Sequence, residues 1–100
     1  MSMDDNRKEV INFFLDGGFK QRTEYKTFTQ LDKNIKNDID KFNKTFSVVL
    51  SEKTFYVMLH SQGTGDFIFS QHYSLDLPKK DLIKVLEKIY DCYLIINDLF

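Results

Sequence analysis

The sequence predicts an α+β domain: a three-stranded antiparallel β-meander packed with a long C-terminal helix and two N-terminal helices. Three observations carry this prediction. Residues 45–75 alternate in a register that two tight turns can close, and residues 78–100 hold an unbroken apolar stripe at helical spacing. Residues 6–42 contain two further helical patterns separated by an alternating stretch that can add a fourth strand.

The first pattern, Asn6 to Asp16, places Val10, Phe13 and Phe14 on one side, with Ile11 and Leu15 widening it, before Gly17-Gly18 stops the helix. Phe19 to Thr27 then alternates as an edge strand, with Lys20, Arg22, Glu24 and Lys26 on one side guarding against pairing with another chain. Thr29-Gln30-Leu31-Asp32 reads as a helix N-cap with an acidic third position. Phe28, Leu31, Ile35, Ile39 and Phe42 follow it as a narrow helical stripe, and Lys33, Asn34 and Lys36 lie on the solvated side.

In the meander, Ser51-Glu52-Lys53-Thr54 closes a hairpin pairing Leu50 with Phe55, Val48 with Val57 and Phe46 with Leu59. Glu-Lys is a poor pair for a primed turn, so a one-residue slip is the competing register. A second turn at Gln62 to Asp66 sets Leu59 against Phe69, Val57 against Gln71 and Phe55 against Tyr73. The opposite face then carries Val49, Tyr56 and His72 in one row, Ser47, Met58 and Ser70 in the next, and His60 beside Ile68. A solvated sheet face alternates cleanly with polar residues, so this mixed face requires a cover, either the N-terminal part of the chain or a partner.

Pro78 opens the last helix, and Leu82, Leu86, Ile89, Tyr93, Ile96 and Phe100 form its docking stripe. Val85, Cys92 and Leu99 flank that stripe on one side, and Ile83, Tyr90 and Leu94 on the other. The apolar arc exceeds half the circumference at about 100° per residue. Ile83, Tyr90 and Leu94 therefore either meet another helix of the chain or form a homodimer contact.

One hundred residues with 42% hydrophobic and 29% charged content and a net charge of −1 describe a single folded domain, 1–100, that needs no disulfide or metal. No early apolar run suits export or a membrane span, and lone Cys92 on the apolar helix suits a buried thiol in a reducing cytoplasm. Usage leaning on Lys, Asn, Asp, Ile and Phe, without Ala or Trp, is that of an AT-rich coding sequence such as many phages and plasmids carry.

Chemistry is sparse. Cys92 lacks a neighbouring base, and His60 and His72 fall on neighbouring strands too far apart to share a metal. Ser61 to Asp66 lacks the basic residue and following helix of a phosphate loop. The sequence therefore indicates no enzyme, no cofactor and no metal site.

The expected function is a small protein-binding module, a regulator or inhibitor of the kind a phage or plasmid uses against host defence, acting by occupying a partner surface. Its anchors are Val49, Tyr56, Met58, Ile68 and His72. The competing reading is a DNA- or RNA-binding accessory protein of winged-helix-like type using Lys20, Arg22 and Lys26. Residues 1–53 carry a net charge of only +1, and only one helix is available where a helix-turn-helix needs two.

Overall fold

The computed structural model describes residues 3–25, 28–35, 44–61 and 67–99. Their order is α1 (Met3–Asp16), β1 (Lys20–Tyr25), β2 (Phe28–Asn34), β3 (Lys44–Leu50), β4 (Thr54–Ser61), β5 (Phe67–Ser74) and α2 (Lys79–Leu99). The strands form one antiparallel sheet in sequential order, β1-β2-β3-β4-β5. The α+β class holds, with five strands and two helices among the described residues.

The main correction concerns Thr29 to Phe42. Residues 28–34 form strand β2, which pairs with β3 from Thr29 opposite Leu50 to Asn34 opposite Thr45; Ile39 and Phe42 lie outside the described residues. The helical reading failed because Thr29, Leu31 and Lys33 also satisfy a period of two. β3 settles the choice, since all seven of its residues are buried and its free edge needs a hydrogen-bonded neighbour. Lys33 is accordingly not on a solvated helix side. Its ammonium donates to the Gly17 carbonyl at 2.9 Å and lies 5.2 Å from the centre of the Tyr93 ring.

The hairpin register follows the expected pairs: Leu50–Phe55, Val48–Val57 and Phe46–Leu59, then Phe55–Tyr73, Val57–Gln71 and Leu59–Phe69. The Ser51 amide donates to the Thr54 carbonyl at 2.8 Å, and no described residue other than glycine has positive φ, so the turn closes without a primed geometry. One pair differs. The register shifts after Leu59 so that His60 stands opposite Phe67 and not beside Ile68.

Both helices pack on the same sheet face. Val10 and Phe14 of α1 and Leu82, Leu86, Ile89 and Tyr93 of α2 bury against Leu31, Phe46, Val48, Leu50, Phe55, Val57 and Leu59. Each large side chain so buried contributes about 1.5–3 kcal/mol. Edge-to-face ring pairs run through this layer, from Phe14 to Phe19 (5.0 Å), Phe19 to Tyr93 (5.4 Å) and Tyr93 to Phe46 (5.6 Å).

The end of α1 is built as the glycine pair implies. The Phe19 amide donates to the Phe14 carbonyl at 2.9 Å and the Gly18 amide to the Leu15 carbonyl at 3.1 Å, with Gly18 at φ 91°. Gly17 serves a different need, because a Cβ there would lie 2.6 Å from the Tyr90 ring. At the other end of α1, Asn6 donates to the carbonyls of Leu75 (2.7 Å) and Leu77 (2.8 Å), clamping the helix to the β5–α2 connection. Arg7 donates to the Ser51 carbonyl at the first hairpin. Pro78 stands one residue before α2, and its carbonyl accepts the first helical bond from Leu82 at 2.9 Å.

Candidate functional site

With both helices on one face, the other face of the sheet is covered by neither of them. Register places Gln30, Val49, Tyr56 and His72 in one row across it, Asp32, Ser47, Met58 and Ser70 in the next, and Asn34, Thr45 and His60 in a third. The central strand contributes the buried members: Val49 and Ser47 are fully buried and Thr45 nearly so. Tyr56, Met58 and His60 of β4 are half-buried, and Ser70 and His72 of β5 are exposed.

Of the expected anchors, Tyr56 and His72 come together. Their rings stack at 4.9 Å and 30°, joining β4 to β5 on the outer side. Met58 adjoins them one row along, with a polarizable thioether suited to an irregular apolar contact. Val49 lies beside Tyr56 in the same row and does not reach solvent. Ile68 falls at the register shift itself, between the Leu59–Phe69 and His60–Phe67 pairs.

The other half of the face is polar and internally bonded, which sequence reasoning missed. The Ser47 hydroxyl donates to Asp32 Oδ1 at 2.5 Å, and Ser47 Oγ lies 3.0 Å from His60 Nε2. Gln30 donates to Asp32 at 3.0 Å, and Arg22 closes an ion pair with it at 3.2 Å. A hydroxyl has one proton, so with that proton given to the carboxylate, His60 Nε2 must be the donor to Ser47. The imidazole then cannot serve as a base toward Ser47. Ser, His and Asp are present, but the arrangement is a satisfied network under a half-buried surface, not an activated nucleophile. Asp32 was unreadable as part of it while residues 29–32 read as a helix cap.

Two of the three cationic candidates meet at Asp32. Lys20 stands opposite Asp32 on β1, Arg22 is engaged by Asp32, and Lys26 lies outside the described residues. Lys20, Arg22 and Lys33 share with Gly18, Asp32 and Asn34 a cleft of about 370 Å³ at the β1–β2 end of the sheet.

On α2, the self-association candidates divide. Tyr90 packs within the chain, edge-on to Phe13 at 6.1 Å with its hydroxyl donating to the Gly17 carbonyl at 3.3 Å. Ile83 is half-buried, while Leu94 and its neighbour Ile95 are exposed. The Cys92 thiol is exposed, contrary to the buried position its apolar helix suggested, because it lies on the flank of the docking stripe. Desolvation by its surroundings still raises its pKa, which disfavours the thiolate.

Among the described residues no three His, Cys, Asp or Glu side chains converge as a metal site, and no helix is long and apolar enough to cross a membrane. Compared with protein-family models, curated proteins and solved structures, the chain matches none.

Proposed function

We propose that this protein is a non-catalytic protein-binding module whose working surface is the sheet face left open by the two helices. One observation carries the reading. Both amphipathic helices dock on the same side, so half-buried Tyr56 and Met58 and exposed His72 form an apolar and aromatic patch beside a polar network. Tyr56 and Met58 are held by a regular sheet and a stacked ring, so little side-chain freedom is lost when a partner covers them.

The module acts by occupancy: a partner's apolar side chains cover Tyr56 and Met58, while His72, Ser70 and the Asp32 network set polar contacts at the rim. Ser47 is buried with its proton engaged, and the Cys92 thiol resists ionisation, so the two candidate nucleophiles support the non-catalytic reading. An origin in a phage or plasmid rests on residue usage and does not affect which surface binds.

The nucleic-acid reading has less support. Residues 28–34, where a second successive helix would be needed, form β2, and Arg22 spends its charge on Asp32. Affinity capture of the tagged protein from its native lysate, with and without nuclease, tests the proposal when run beside Tyr56→Ser/Met58→Ser. A stoichiometric protein that survives nuclease and is lost with the double substitution supports it. Capture indifferent to the substitution, or recovery of nucleic acid alone, overturns it.

A further inference from the structure

The two edges of the sheet differ in chemistry. β1 carries Lys20, Arg22 and Glu24, and its register shifts between Gln21 and Thr23, both of which discourage pairing with another chain. β5, Phe67-Ile68-Phe69-Ser70-Gln71-His72-Tyr73-Ser74, contains no Asp, Glu, Lys, Arg or Pro. Its pairing with β4 is regular from Leu59–Phe69 to Thr54–Ser74, and among the described residues no strand pairs with its outer side.

The direction of its peptide groups follows from one bond. The Leu75 amide donates to the Lys53 carbonyl at 2.9 Å, one step beyond the Thr54–Ser74 pair. Antiparallel alternation then turns the peptide groups of Phe69, Gln71 and Tyr73 toward β4 and those of Ser70, His72 and Ser74 outward. The first hairpin gives the same phase: the Ser51–Thr54 bond directs Tyr56 and Met58 toward β3, leaving Phe55, Val57 and Leu59 to bond β5. Ser70, His72 and Ser74 thus present a row of backbone donors and acceptors at a strand's own spacing.

We infer that β5 pairs antiparallel with β5 of a second copy of this chain, about a two-fold axis normal to the sheet, joining two sheets into one. A two-fold contact sets each residue against its own segment, and β5, which holds no Asp, Glu, Lys or Arg, brings no like charges together in any register, whereas on β1 the registers that set Arg22 against itself or against Lys20 oppose cations. The joined sheet also makes the Tyr56–His72 surfaces of two copies continuous on the outer face.

Sedimentation equilibrium of the intact chain tests this, with twice the 11.9 kDa chain mass expected. Two variants probe the edge. Ser70→Pro removes an outward N–H that β4 does not use, a place where an edge strand accepts proline, and Ser70→Lys adds a charge beside the axis. Each should weaken association at least about tenfold with far-UV dichroism unchanged. A monomer at the highest attainable concentration, or a dimer indifferent to both variants, overturns the inference. Should either variant fail to fold, amide exchange in the unaltered chain decides: Ser70, His72 and Ser74 should gain about tenfold or more protection on concentration, and no gain overturns it. The outcome is separate from that of Tyr56→Ser/Met58→Ser, which leaves the β5 backbone intact.

Discussion

Asn6 shows how much of the assembly rests on single polar side chains. It is buried on α1, and its amide satisfies two carbonyls some seventy residues away in the chain. Asn6→Ala leaves both without that donor and should cost about 2–4 kcal/mol, read from the urea midpoint. Gly18 fails for a different reason. Its φ of 91° strains any side chain, so Gly18→Ala should cost about 1–2 kcal/mol, and a Cβ there would also meet the Lys33 ammonium at 2.9 Å. The buried phenol of Tyr93 is also informative. Desolvation, with Tyr90 adding to it, raises its pKa, so the folded state holds this proton after the unfolded chain has released it. That stability is complete below the ordinary tyrosine pKa and is lost as pH rises through the folded value. Tyr73 and Cys92 shift in the same direction. Thermal melts should therefore fall on the alkaline side, and Tyr93→Phe should lessen that fall. A pH dependence unchanged by the substitution would contradict this.

At the level of elements, what was legible depended on whether local pattern and tertiary need agreed. The β3–β4–β5 register could be read because a short turn and three rows of apolar residues specify it together, and a slip would expose Val48 and Val57. The end of α1 was legible because Gly17-Gly18 has few other uses. β2 was not, because Leu31 and Ile35 fit the helix period while Thr29, Leu31 and Lys33 fit the strand period; only the unmet edge of β3 decides between them. Backbone chemical shifts of residues 28–34 should consequently be strand-like, and helical shifts there would refute the sheet order. The outer-face network was illegible for the same reason: Asp32 meets Ser47 only once β2 is a strand. Tyr90 was ambiguous because a wide apolar arc on one helix does not say whether the neighbour belongs to the same chain.

For the whole molecule, the decisive property is one-sidedness. A sheet with two helices on one face has its main core there, and among the described residues no helix lies on its other face. On that face the buried members, Val49 and Ser47, give rigidity, and Tyr56, Met58 and His72 give contact. The measurement that tests this most directly is oxidative footprinting of Met58, Tyr56 and His72 in the free protein and with its captured partner. The account predicts that Met58 and Tyr56 react in the free protein and that all three become protected in the complex. Protection already complete in the free protein, or reactivity unchanged by the partner, would contradict it.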